Sequence, residues 1–401
     1  MKQQTLAIHA CARSAGEHER FVPSAPPLET AASFHYRSAA DLTAVANGEI
    51  NGFVYQRYGN PSADALQRQI AALDRASSAL ACSSGMAAMH IGLLTALRDR
   101  PKTILAANVL FGQTFQLLQL MEQQGFVARF ADPCDLAEFE ASLDKTETGC
   151  ILLETVSNPL LRVPQIDEIA KTAAKRGVPV VVDATFAPPV MNRPLESGAT
   201  VVVHSVTKYL AGHADVLGGM VACGEAEADY MQELGRHFGA NLGPFQCFLT
   251  ARGIKTLPMR MEEHCRNAQI VARVLEQHPN VGAVHYPGLA SHPDRAVAES
   301  LFDQDTQGAT MFGGMVSFEV LGADQAQTFR FMDVLRLVVR TLSLGDVHSL
   351  VAHPATTTHR NIGEKRRQKL GIPDNLVRFS VGIEDPDDIV ADVLQALESV
   401  A

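Results

Sequence analysis

At 401 residues, with 46% apolar and 19% charged side chains, the chain has ordinary globular composition and enough length for two domains with substantial cores. A formal charge of −10 disfavours a nucleic acid or an anionic membrane as partner. The seven cysteines (Cys11, Cys82, Cys134, Cys150, Cys223, Cys247, Cys265) show no Cys-x-x-Cys spacing, which fits reduced thiols in a cytoplasm better than a disulfide framework or a zinc site.

Residues 1–60 are polar and rich in turn formers (Pro23, Pro26, Pro27, Gly48, Gly52, Gly59), with little helical period. Such an arm is expected to lie on something larger. The first twenty residues lack the apolar core of a signal peptide and no apolar run approaches 18 residues, so a soluble, intracellular protein is expected. The arm ends in Val54-Tyr55-Gln56-Arg57-Tyr58-Gly59-Asn60-Pro61, a turn that opens a helix over 62–76 with Leu66, Ile70 and Leu73 on one face. A strand over 79–82 then runs into Ser83-Ser84-Gly85-Met86-Ala87-Ala88 and a helix to 97. Small residues at such a turn leave backbone N–H groups free at a helix N-terminus, where they can bind phosphate.

The next strand, Thr103–Ala107, precedes Phe111-Gly112-Gln113-Thr114. A strand over 149–154 ends in Glu154-Thr155-Val156-Ser157-Asn158-Pro159, and a helix over 167–176 gives the βαβ alternation of a parallel sheet.

Within 178–223, Val180–Val182, Val201–Val203 and Met220–Ala222 are short, continuous apolar runs suited to strands buried on both faces. Asp183 closes the first run, and Lys208 follows the second through His204-Ser205-Val206-Thr207. Ligands gather at the carboxyl ends of strands in an open α/β sheet, so an acid and a lysine are delivered to one edge. Among apolar strands a lysine loses hydration and its pKa falls, which frees a nucleophilic amine for a Schiff base with a carbonyl cofactor.

Residues 229–275 read as long helices interrupted near Gly243-Pro244 and Arg252-Gly253. The remainder mixes strands (315–320, 377–381) with helices (325–334, 387–397), an α+β unit. His348, His353 and His359 read as structural residues rather than metal ligands. The division expected is an arm over 1–60, a large domain over 61–257 and an α+β domain over 258–401.

The run Ser205-Val206-Thr207-Lys208-Tyr209-Leu210-Ala211-Gly212-His213 resembles the Ser-x-Thr-Lys-Tyr-x-x-Gly-His signature of the cystathionine γ-synthase-like family, the fold type I pyridoxal-phosphate enzymes of cysteine and methionine metabolism. Tyr-x-Arg-x-x-Asn-Pro at 55–61, Ser-Gly-Met-Ala-Ala at 84–88 and Ser-Asn-Pro at 157–159 carry the same resemblance. It implies a mostly parallel α/β sheet, pyridoxal 5′-phosphate as cofactor and catalysis by Lys208. The cofactor contacts implied are Tyr55, Arg57, Gly85, Met86, Phe111, Asn158, Asp183, Thr185, Ser205, Thr207 and Lys208. Asp183 would pair with the pyridine nitrogen, an attraction of roughly 4 kcal/mol at about 4 Å and an effective dielectric of about 20. Ser343 and Arg378 would line the substrate pocket, with Arg378 gripping the α-carboxylate through its donor fork. Tyr55 and Arg57 would reach the neighbouring subunit's cofactor, which implies a homodimer with shared sites and, by analogy, a homotetramer.

Three features narrow the reaction. Relatives that bind the distal amino acid of cystathionine carry charged residues where this chain has Val54, Gln116 and Leu342. Typical methionine γ-lyases carry Tyr-Gly-Cys-Thr where this chain has Phe111-Gly112-Gln113-Thr114. Phe111 can stack on a pyridine ring but cannot protonate a leaving group. A carboxylate, with a conjugate-acid pKa near ~4 against ~8.5 for a thiol, departs more readily without such help. The reading is therefore γ-replacement on an O-acyl-L-homoserine, with sulfide or a small thiol, through a vinylglycine ketimine. A γ-lyase acting on methionine, or on an analogue with a better leaving group such as canavanine, is the alternative. A non-catalytic, cofactor-binding regulatory protein stands as a third class.

Overall fold

The computed structural model describes residues 1–12, 21–145 and 147–399. Residues 13–20 of the N-terminal segment read above lie outside the described residues.

Two helices, α1 (Gln3–His9) and α2 (Ala39–Ala46), occur in the arm, where the sequence shows little helical period. α1 presents only Leu6 and Ala7 to the core and α2 buries nothing, so neither has the apolar stripe that makes a helix legible. α3 (Pro61–Asp74) begins where expected. Asn60 Oδ1 accepts the Ser62 N–H at 2.8 Å and Pro61 takes the first helical position, where its missing N–H costs nothing. The helix stops at Arg75, which turns left-handed at φ 58°.

The chain then alternates β1 (Ser78–Cys82), α4 (Gly85–Ala96), β2 (Thr103–Ala107), α5 (Gly112–Glu122), β3 (Val127–Ala131), α6 (Leu136–Asp144), β4 (Cys150–Glu154), α7 (Ile166–Lys175), β5 (Val180–Asp183), β6 (Val201–Ser205) and β7 (Gly219–Cys223). These strands form one sheet in the order β1-β7-β6-β5-β4-β2-β3. β7 pairs antiparallel with β1 and β6 and the remaining pairs are parallel. Val180, Val181 and Val182 are buried on both faces. Burying a valine side chain contributes about 1.5–3 kcal/mol, which explains why uninterrupted valine runs occupy the centre of the sheet.

Three helices follow, α8 (Glu225–Phe238), α9 (Pro244–Ile254) and α10 (Leu257–Glu276). The second interruption falls at Lys255-Thr256, not at Arg252-Gly253. Gly253 stays helical because its bare Cα packs against the Ala211 carbonyl, a place where a Cβ would collide. The last third adds β8 (Val281–His285), α11 (Arg295–Leu301), β9 (Met315–Val320), α12 (Gln325–Val334), β10 (Val339–Arg340), β11 (Leu350–Ala352), α13 (Glu364–Lys369), β12 (Leu376–Ser380) and α14 (Pro386–Glu398). Its sheet runs β10-β11-β12-β9-β8. One apolar cluster joins α1, α3, α9 and α10 to this second sheet, and another fills the α4 side of the large sheet. Among the described residues no helix is long and apolar enough to cross a membrane.

Candidate active site

The carboxyl ends of β4, β5 and β6, the N-terminus of α4 and the loop before β11 enclose a cavity of about 250 Å³. Its lining includes Gly85, Met86, Phe111, Asn158, Asp183, Thr185, Ser205, Thr207, Lys208 and Arg378, which the sequence spreads over some three hundred positions.

At the closed end, β4 and β5 place Glu154 directly opposite Asp183. The Thr185 N–H donates to Asp183 Oδ1 at 2.9 Å, and Thr185 Oγ1 in turn accepts the Ser205 N–H at 2.9 Å. Burial raises Asp183 above the usual carboxylate range, against the Thr185 hydrogen bonds and the positive field of His204. Glu154 is pushed up to about 8 by burial and by the charge of Asp183, although it accepts the Phe111 N–H at 2.7 Å and the Asn158 N–H at 3.2 Å. Two carboxylates this close do not both ionise readily. The pair can hold one cation, such as a protonated ring nitrogen.

Beside it lies a cradle for an anion. Ser84 caps α4 through Oγ, which accepts the Ala87 N–H at 3.1 Å, so the Gly85 and Met86 N–H groups remain at the open helix end. A Cβ on Gly85 would come within 3.0 Å of Ser205 Oγ; glycine lets the helix end and that hydroxyl face the same space. Thr207 Oγ1 accepts the Gly218 N–H at 3.1 Å, which binds the lysine turn to the glycine-rich segment before β7.

Lys208 sits in a π-helical turn, 206–210, with its own backbone off the helix at φ −93°, ψ −137°. Buried Arg260 on α10 donates to the Tyr209 carbonyl at 2.8 Å and the Gly253 carbonyl at 3.0 Å, clamping this turn from behind. Gly345 approaches from the other side, where a Cβ would meet the Tyr209 nitrogen at 2.7 Å. Lys208 Nζ donates to Ser343 Oγ at 3.1 Å. Burial, helped by the charge of Arg378, lowers its pKa from 10.5 to about 8. A lysine with a pKa near 8 is roughly one-tenth neutral amine at pH 7, against well under a thousandth for a free one.

Arg378, on β12 and 2% exposed, donates to the Leu342 and Ser343 carbonyls at 3.2 and 3.1 Å and to Asn158 Oδ1 at 3.4 Å. Among the described residues no carboxylate pairs with it, and burial lowers it to about 10. A buried guanidinium bonded only to neutral oxygens is a ready site for a carboxylate.

Tyr55 and Arg57 do not line this cavity. Arg57 Nη1 donates to the Arg236 carbonyl at 3.2 Å and its guanidinium lies over the Tyr58 ring, while Tyr55 is 48% exposed. His353 bonds Thr356 Oγ1 and the Asp374 carbonyl, and among the described residues no group of three acids, histidines or cysteines is arranged to hold a metal. Sequence reasoning missed Glu154, Ser84, Gln113 and Arg260. Glu154 had a usable signal, an acid ending a buried strand beside the one that ends in Asp183. Arg260 had none, because the lysine turn it clamps lies about fifty residues away.

The family of Cys/Met metabolism PLP-dependent enzymes matches residues 4–398. The chain is 41% identical over 379 residues to an L-methionine gamma-lyase of Pseudomonas putida, covering 94% of this chain and 93% of that one. It is 36% identical over 400 residues to an O-succinylhomoserine sulfhydrylase of Pseudomonas aeruginosa, covering 99% and 95%. The structure of cystathionine gamma synthase from Xanthomonas oryzae pv. oryzae in complex with cystathionine superposes with a TM-score of 0.91 at 33% identity, over 100% of this chain and 98% of that one.

Proposed function

This chain belongs to the Cys/Met metabolism PLP-dependent enzymes, which carry out γ-elimination or γ-replacement on sulfur amino acids and their precursors, and we propose that its own reaction is γ-replacement on an O-acyl-L-homoserine. In that reaction the Cγ–O bond to the acyl group breaks and a Cγ–S bond forms to sulfide or a small thiol. The acyl group leaves as a carboxylate and the thiol proton passes to solvent.

The cavity fits pyridoxal phosphate. The Gly85 and Met86 N–H groups with Ser205 and Thr207 suit its phosphate, the Asp183 carboxylate suits its ring nitrogen, and the softened Lys208 amine suits its carbonyl. When bound, the cofactor draws electrons from the amino acid's Cα and lets protons leave there and at Cβ. Lys208 Nζ takes and returns those protons, Arg378 holds the α-carboxylate with Ser343 beside it, and Asn158 and Phe111 orient the ring. Residues 61–257 serve as the cofactor-binding domain and 258–401 as the domain that brings Arg378. The arm over 1–60 crosses to a second copy, so that Tyr55 and Arg57 complete that copy's phosphate site.

The observation that carries the choice of an ester is the wall around Phe111. Phe111, Val156, Phe186, Leu217 and Leu342 give it apolar or aromatic surfaces. Beyond Glu154 and Asp183 at the strand ends, and apart from the proton-carrying Lys208, the described lining contains no carboxyl or phenol to protonate a departing thiolate. A carboxylate leaves without that proton. The second reading, γ-elimination to a keto acid, ammonia and the leaving group, is favoured by the 41% identity to a methionine γ-lyase.

Product analysis separates them. O-acetylhomoserine, O-succinylhomoserine, methionine and canavanine are each supplied with and without sulfide. Homocysteine formed only from an ester plus sulfide supports γ-replacement. Keto acid and ammonia, or homoserine from canavanine, appearing without sulfide would transfer the enzyme to the lyases.

A further inference from the structure

On the face of the large sheet turned away from α4 lies an acid–base pair that no step above uses. Asp74, the last residue of α3, is 0% exposed, and His204 on β6 is 1% exposed. His204 Nε2 stands 2.9 Å from Asp74 Oδ2, while among the described residues Asp74 Oδ1 has no hydrogen-bond partner. Side chains alternate along a strand, so Val203 and Ser205 face α4 and the cavity, and His204 faces α3 together with its β7 partner Met220. A buried charged pair with an unfilled hydrogen-bonding atom is a poor way to stabilise a core.

Its position relative to the cavity supplies a use. β5 and β6 pair Asp183 with Val203, and the Ala184 N–H donates to the Val203 carbonyl at 2.9 Å, so His204 lies just beyond Asp183 and one sheet thickness beneath it. Above the sheet, Glu154 and Asp183 stand at paired positions, and two buried carboxylates so placed favour a single negative charge between them. Something must decide which of them carries it.

We propose that Asp74 and His204 are positioning residues: Asp74 keeps a proton on His204, and the resulting imidazolium beneath the sheet fixes the shared charge on Asp183, where the cofactor's ring nitrogen meets it. Two charged groups act on the imidazole, Asp74 from α3 on its own face and Asp183 from β5 across the sheet, and β7 presents the uncharged Met220. Burial alone would lower His204, but the charge and hydrogen bond of Asp74, with help from Asp183, hold it above its ordinary value. His204 in return is among the groups that oppose the desolvation of Asp183. The Thr185 N–H favours the same ionised form from the cavity side.

The proposal rests on Asp183 meeting the ring nitrogen, and the experiment keeps the two apart. Holoenzyme is loaded with pyridoxal phosphate labelled with ¹⁵N in the ring, and the nitrogen resonance is followed from pH 6 to 9. Wild type should show a protonated ring nitrogen throughout. Asp74→Asn and His204→Gln should each move the loss of that proton down by about one pH unit, and raise cofactor loss on dialysis about tenfold. Asp183→Asn is the reference. If it leaves the resonance unchanged, the assignment of the ring nitrogen to Asp183 fails. If it moves the resonance while the other two variants do not, the Asp74–His204 proposal alone fails. Should His204→Gln not fold, the isosteric Asp74→Asn and the wild-type apo protein still decide. The His204 ring must remain an imidazolium above the pH at which an ordinary histidine titrates, and a ring already neutral there overturns the inference.

Discussion

The lysine turn and the Tyr55–Arg57 arm are read as parts of the same kind of site, yet they are built in opposite ways. Around Lys208 distant parts of the chain converge: Tyr209 is buried, Arg260 closes the turn from α10, Gly345 presses from the loop before β11, and Ser343 meets the amine. Around Arg57 the in-chain contacts are a carbonyl and the faces of Tyr55 and Tyr58, both of which are about half exposed. Leu42 and Ile50 in the same arm are also exposed. The first region's lysine turn is held by its own fold. The second offers aromatic surface and a cation to whatever covers it, which is the physical basis for proposing that it serves a second copy.

The comparison breaks most visibly at Lys208. Lys208→Ala should abolish the absorbance of the lysine-linked cofactor and lower turnover by at least about a thousandfold, because the covalent link and the proton carrier are lost together. Persistence of that band in the variant would sink the assignment.

Arg378 ranks next. Arg378→Ala should raise KM about a hundredfold, the loss of roughly 1.5–3 kcal/mol expected for a charged hydrogen bond. It should also act on the lysine within the same chain. Arg378 is a positive neighbour that lowers the Lys208 pKa, so removing it raises that pKa from about 8 toward 10.5 and depletes the free amine at pH 7. Reductive methylation of the apo protein would show this as an upward move of its pH midpoint. A midpoint that stays put, or moves down, contradicts the coupling.

Arg57→Ala should weaken cofactor retention by about tenfold while leaving the chain's own lysine turn intact. Mixing Arg57→Ala with Lys208→Ala subunits sharpens the contrast, since a hybrid contains one complete site. Recovery of roughly a quarter of wild-type activity is expected from random pairing of equal amounts, given one intact site in half of the dimers. No recovery at all means that the arm serves its own chain.

The smallest effect belongs to the cavity wall. Phe111→Tyr supplies the missing phenol and should improve elimination from methionine about tenfold relative to an ester, within the range of a modest acid contribution. An unchanged ratio would show that Phe111 does not govern the leaving group.

Most of this site is legible from local signals. Valine runs announce β5 and β6, the acid that ends β5 is Asp183, and the lysine follows β6 within a short run of residues. Phe111 and Asn158 are legible as residues at strand ends, and so is Glu154, but the contacts by which that carboxylate orients both backbones are not. Glu154 holds the Phe111 N–H from 43 residues away, and that contact exists only once β2 and β4 lie side by side. α2 escapes sequence reading for a related reason: it buries nothing in this chain and so leaves no apolar period.

The sequence by itself determined where the buried strands run, which turns are small enough to admit a phosphate, and which acid, lysine and arginine are presented. Those are properties of short segments, governed by hydrophobic period, backbone freedom and side-chain chemistry. The tertiary structure decided their state. Lys208 meets Ser343 across 135 residues, Arg260 reaches the carbonyl after Lys208 across 51, and Asp74 meets His204 across 130. Desolvation and electrostatic coupling depend on distance in space, so the softened lysine, the carboxylate pair with its shared charge and the imidazole beneath them come into being only when the sheet closes.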